Sequence, residues 1–165
     1  MSPINWPNIA SIPELVKAGY GNTGHEEPLR IFGQEIYIKV TGAQTGGAWS
    51  MIQQVTPPAS GPPMHCHTRE DEGFWVVEGK FLFVVGDQRI EANPGDFLLA
   101  PRNIPHTFLN IGDVPAKAIV IMSPAGMEDF FLAVAALEGP PDPGWVGQLF
   151  AEYGIEFIGS PLTTD

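Results

Sequence analysis

Two of the chain's four histidines stand one residue apart, at His65 and His67, and three acids follow in a row at Glu70, Asp71 and Glu72. Side chains two apart on an extended strand share a face, so His65 and His67 point together and Cys66 points away. Two imidazoles converging on one point suit a divalent metal ion better than an apolar core, because each neutral ring offers a nitrogen lone pair. A carboxylate would extend the set. Glu72 lies five residues past His67, which reverses strand parity unless the polar stretch between them turns or bulges. Beyond it, Phe74 and Val76 share the face of Glu72, while Trp75 and Val77 take the other. Glu70 and Asp71 fall in the connecting turn, where exposure to solvent is the expectation. A third histidine, His106, opens the run "HTFLN" behind Pro101 and Pro105, with Phe108 and Asn110 on its own face.

Each of these groups also has a plainer role open to it. The three histidines could be hydrogen-bonded polar residues of a barrel that holds no ion. Asn110 could face a ligand or stabilise a turn. His25, in "NTGHEEP", reads as solvated, and Cys66 as a small buried packing residue rather than a thiolate ligand. Phe130 and Phe131 could line a lid, but packing on the outside of the barrel is the commoner use of such a pair.

Strands must position the cluster. Runs of strand character follow one another at "EIYIKV" (35–40), "WSMIQQV" (49–55), "HCH" (65–67) and "FWVVEGKFLFVV" (74–85), the last broken at Glu78-Gly79. Then come "QRIEA", "DFLLA", "HTFLN" and "AKAIVIM", with turn signals at Gly86-Asp87, Asn93-Pro94-Gly95 and Gly112-Asp113 between them. About nine short strands with no long helix between them exclude βαβ crossovers, each of which needs a dozen or more residues. The expected fold is all-β, an antiparallel closed or nearly closed barrel that leaves few free sheet edges. The divisions read from the sequence are an N-terminal arm (1–30) with a helical turn near Glu14–Lys17, a barrel (31–125) and a helical extension packed on it (126–165). Within that extension "MEDFFLAVAALE" (127–138) has helical spacing with acids in its first turn, and "GWVGQLFAEYGIEF" reads as a shorter second helix.

Composition sets the outer bounds. The 165 residues are 44% hydrophobic and 16% charged, which is globular rather than disordered. Eight basic residues against nineteen acidic give a net charge of -11. That balance disfavours nucleic acid and anionic membranes, whose phosphates need clustered Lys and Arg, and favours a small uncharged or weakly polar partner. One cysteine rules out an internal disulfide and a four-thiolate zinc site. No secretory leader and no membrane-spanning run are evident, so a cytoplasmic location is expected by default.

The two histidine segments resemble the paired motifs of the cupin superfamily, G-x5-H-x-H-x3,4-E-x6-G and G-x5-P-x-G-x2-H-x3-N. The first matches at His65, His67, Glu72 and Gly79, with Ala59 in place of its leading glycine. The second matches at Gly95, Pro101, His106 and Asn110, with Asn103 where the family has glycine; asparagine tolerates the left-handed conformation such a turn needs. The resemblance covers roughly residues 36–124 and implies a single-domain cupin, a double-stranded β-helix or jelly-roll barrel with one or two short C-terminal helices. It implies one divalent transition metal held by His65, His67, Glu72 and His106. Three histidines and a carboxylate suit Fe, Mn, Ni, Co, Cu or Zn and leave one or two positions open.

The style of the first motif is most similar to monocupins grouped with quercetin 2,3-dioxygenase. It implies ring-opening dioxygenation of a flavonol-like or other enolisable substrate, with Glu72 also accepting a substrate proton. Phe74, Val76, Phe108 and Asn110 are the expected cavity lining. Isomerases and non-catalytic small-molecule binders are the alternatives that the superfamily offers, and a homodimer is its habitual assembly.

Overall fold

Polar-apolar alternation sets the inward face of most strands. On Ser50–Thr56 every second residue is buried, and on Ala116–Ser123 the same period holds. The computed structural model of the chain describes residues 27–137 and 143–163. Among them it forms eleven strands and three helices. The strands are β1 (Leu29–Ile31), β2 (Gln34–Val40), β3 (Ser50–Thr56), β4 (Pro63–His67), β5 (Asp71–Glu78), β6 (Phe81–Val85), β7 (Gln88–Ala92), β8 (Phe97–Ala100), β9 (His106–Asn110), β10 (Ala116–Ser123) and β11 (Ile155–Pro161). The helices are α1 (Gly42–Thr45), α2 (Met127–Ala135) and α3 (Pro143–Glu152).

Two antiparallel sheets face each other. One runs β1-β2-β3-β10-β5-β8 and the other β11-β4-β9-β6-β7. The expected all-β double-stranded β-helix is therefore the architecture found, and all nine anticipated strands are present. Between the sheets Phe74, Phe81, Phe83 and Phe108 pack edge to face or tilted, with ring centroids 5.2–5.9 Å apart. Such pairs add roughly 0.5–1.5 kcal/mol each beyond the area they bury. The interior also holds polar residues from β2 and β3. Gln54 Nε2 and Thr56 Oγ1 both donate to Gln34 Oε1, which removes the penalty of burying them unpaired. Gly79 turns β5 into β6 at φ +80°, and a Cβ there would sit 2.5 Å from that of Ala116. Both the backbone and the close approach require glycine at this position of the motif.

The ends of the chain differ from the sequence reading. Residues 29–31, which straddle the expected boundary between arm and barrel, pair with β2 as a strand. Residues 155–157 are not the end of a second helix: after α3 the chain passes Gly154 at φ +74° and joins β4 as strand β11. The reading failed there because β11 buries only its first residue and so shows no alternation. α2 packs against β1 and β3, with buried Glu128 accepting from Gly42 N–H at 2.5 Å and Gly126 N–H at 2.9 Å, and α3 packs against β11. The helical turn expected at Glu14–Lys17, and His25, lie outside the described residues.

Candidate metal centre

β4 delivers two histidines because strand parity holds across His65-Cys66-His67. β9 lies beside it, and its His106 is the register partner of His65. Glu72 arrives from the opposite sheet on β5. Parity across Thr68–Glu70 is therefore irrelevant: the chain crosses between sheets there, and each strand sets its own inward face. The donor atoms of His65, His67, Glu72 and His106 all lie within 4.8 Å of one another. His106 Nε2 is 3.0 Å and His67 Nε2 is 3.6 Å from Glu72 Oε2. The sequence-predicted quartet thus converges on one point.

The donor set fits a divalent transition ion. Two donors about 2.1 Å from one ion and at right angles lie about 3.0 Å apart, the scale of the spacings seen here. Two of the rings are also fixed from behind. His65 Nδ1–H donates to Pro63 O at 2.8 Å, and His106 Nδ1–H to Ile104 O at 2.9 Å. Each bond settles the tautomer and leaves Nε2 turned inward as the donor atom, as ligating histidines require.

Burial sets the electrostatics. It lowers the pKa of His65 to about 4, helped by the neighbouring His106 and His67 and opposed by Glu72. For His67 burial again acts against charge, but Glu72 and Glu70 outweigh it and the pKa is raised. Burial would raise Glu72, yet His67, His106 and His65 together hold its carboxyl down at about 2. His65 is therefore a ready neutral donor, whereas His67 holds its proton more tightly than a free imidazole.

The other acids do not both behave as expected. Asp71 is the outward one: its carboxylate takes Arg102 in a bidentate pair at 3.0 and 2.8 Å and also accepts the Arg102 backbone N–H. That pairing lowers its pKa to about 2. Glu70 is not solvated but 4% exposed, with Oε2 3.6 Å from His67 Nδ1. The three-residue turn folds it back under β4. The signal in the sequence was its i,i+3 spacing from His67.

A cavity opens from the cluster. Its walls include Phe74 and Phe108, together with Ile36 and Ile52, and Gln34 and Gln54 add amide groups. Val76 and Asn110 are corrections. Val76 is 0% exposed in the core, outside the cavity. Asn110 ties a turn instead, its Nδ2 donating to Thr56 O and Val114 O and its Oδ1 accepting from Gly112 N–H. Phe130 and Phe131 of α2 do line the cavity, with Phe150 of α3, Phe157 of β11 and Phe32 after β1. Sequence periodicity marked an apolar helix face and left open what it covers. Cys66 is buried on the face away from the histidines, as strand parity requires.

The model of the cupin domain matches residues 51–122, which hold both histidine segments. Over those residues the chain carries a cupin domain, and this barrel and this cluster agree with it. Among relatives, it is 25% identical to the quercetin 2,3-dioxygenase of Bacillus subtilis over 73% of its own length and 34% of the enzyme's. It is 28% identical to the Aspergillus japonicus quercetin 2,3-dioxygenase, over 65% and 32%. An uncharacterised protein of Methanocaldococcus jannaschii is 29% identical over 46% of this chain and 60% of that one. The chain thus spans between about a third and three-fifths of these curated relatives. Among solved structures, KdgF from Halomonas sp. shares the fold with a TM-score of 0.61 at 18% identity, covering 69% of this chain and 99% of that one. A predicted oxalate decarboxylase from Thermotoga maritima does so with a TM-score of 0.58, also at 18% identity, over 62% and 96%.

Proposed function

We propose that the chain is a metal-dependent dioxygenase of a flavonol-like or other enolisable small molecule. The observation that carries this reading is one cavity with aromatic walls whose lining includes His65, His67 and Glu72 of the three-histidine, one-carboxylate cluster. His65, His67, Glu72 and His106 would hold the ion. A divalent transition ion so held would supply Lewis acidity at its open positions and, where it is redox-active, an electron-transfer partner for dioxygen.

The chain's own groups supply the rest. Phe74 and Phe108 offer ring faces to a planar substrate, and the aromatic residues of α2, α3 and β11 narrow the approach and exclude water. The buried amides of Gln34 and Gln54 give that wall polar points at which a substrate hydroxyl or carbonyl can be oriented. Glu72 is a carboxylate ligand first. With its pKa at about 2, it accepts a proton only from a hydroxyl acidified well below its free value. Distant similarity to two quercetin 2,3-dioxygenases supports this choice over other cupin chemistries. The test is oxygen consumption by protein loaded separately with Fe, Mn, Co, Ni, Cu and Zn, offered flavonols, enediols and diketones. Uptake that requires both the ion and Glu72 is expected. Tight ligand binding with no uptake under any ion would reject oxidation and leave an isomerase or a binding protein.

A further inference from the structure

Glu70 is buried beside the cluster, yet it is none of the four residues that converge. Its Oε2 and the Nδ1 of His67 are both buried without a hydrogen-bond partner, and they face each other across 3.6 Å. Both side chains are only 5% exposed. Leaving either group unpaired costs roughly 1–3 kcal/mol, more for a charged one, so their juxtaposition calls for a reason. A displacement of about half an ångström in either side chain would bring them to hydrogen-bond distance.

We infer that Glu70 is the positioning carboxylate of the metal centre, accepting Nδ1–H from His67 so that Nε2 is presented to the ion. The inference rests on the metal reading above. His65 and His106 obtain the same service from the carbonyls of Pro63 and Ile104. His67 has no such carbonyl bonded to it. It is the last residue of β4, and its own carbonyl is taken by Asn103 N–H at 2.7 Å. The turn that follows returns a side chain to the place where the strand can no longer supply backbone.

A carboxylate does more than a carbonyl there. It raises the donor strength of the imidazole. Arg102, a nearby cation, is occupied by Asp71. The other Glu70 oxygen faces Gly126 at the start of α2, where a Cβ would stand 3.9 Å from it. The orienting residue is therefore packed between the ligand strand and the helix that covers the cavity.

The experiment compares the full chain with Glu70→Gln and Glu70→Leu, measuring Kd for Co²⁺ and Zn²⁺ by chelator competition and recording the visible spectrum of the Co²⁺ forms. Glu70→Leu should bind 10–100-fold more weakly, the usual loss for an outer partner of a ligating histidine. Glu70→Gln should recover part of that loss, because its amide oxygen still accepts Nδ1–H without the charge, and both spectra should shift. Parent-like spectra with affinities within threefold of the parent would overturn the inference and leave the four-ligand site standing. If Glu70→Leu does not fold, the same result for Glu70→Gln alone overturns it. A parent chain that takes up neither ion would remove both readings together.

Discussion

Replacing Phe130 with alanine tests whether α2 belongs to the cooperative core of the barrel. The ring is 4% exposed and meets Phe150 edge-on at 4.8 Å, Phe131 at 5.6 Å and Tyr153 at 5.7 Å. Phe→Ala in a core costs about 3–5 kcal/mol, part of it for the void left behind. Phe130 already borders the ligand cavity, so the new space joins an existing one and the void contribution shrinks. The expected loss is therefore at the lower end, about 3 kcal/mol. Urea unfolding of the metal-free protein measures it. With a slope of about 2 kcal/mol per molar, that loss lowers the midpoint by about 1.5 M at unchanged slope. A midpoint within about 0.3 M of the parent would mean that α2 detaches before the barrel unfolds, and the cavity wall drawn here would be wrong.

Metal content should track the converging quartet. His65→Ala and His106→Ala should lose stoichiometric metal by elemental analysis, whereas Cys66→Ser and Asp71→Asn should keep it; full occupancy in His106→Ala would rule out the four-ligand site. Metal affinity should fall as the solution is acidified, because imidazoles coordinate only when neutral and His67, with its raised pKa, holds its proton more tightly than a free side chain. An affinity unchanged between pH 8 and 5 would contradict this. In the metal-free protein the sign for His65 is the same: the unfolded chain takes up a proton from about pH 6.5 downward, while the folded one waits until about 4. That group alone removes about 3 kcal/mol of stability across the window. Glu72 adds a further loss as pH falls from about 4.5 toward 2, and His67 contributes in the opposite sense, its part being complete below 6.5 and lost as pH rises through its folded pKa. Urea midpoints at pH 8, 6 and 4 read the sum.

The succession of strands along the chain and the ligand set were legible because both depend on short-range pattern. His-x-His needs only the two-residue period of a strand, and His106 only its place behind two prolines. The motif's missing glycines did not mislead, since Ala59 and Asn103 keep the left-handed backbone those positions require, at φ +53° and +63°. What stayed hidden depends on long-range placement. Glu70 looked like turn polarity because nothing local says that a three-residue crossover folds back beneath its own strand. Val76 shares the face of Phe74 yet lies outside the cavity, since parity gives direction and says nothing of depth. Phe130 and Phe131 showed a helix with an apolar face, but only the docking of that helix over the barrel reveals what the face covers. β11 shows no alternation because it borders the sheet with most of its side chains exposed.

That last strand has a consequence for how the histidines come to be held. β4 pairs with β9 at a single register position, His65 with His106, whereas β11 pairs with it at Ile155, Glu156, Phe157 and Pro161. The principal ladder of the histidine strand is thus made by residues that leave the ribosome some ninety positions later. Until they do, β4 is an unprotected border of its sheet, open to mispairing. Contacts so distant in sequence form late and slowly. The geometry of the histidine cluster is then among the last features of the molecule to appear, complete only once Phe157 is free to dock.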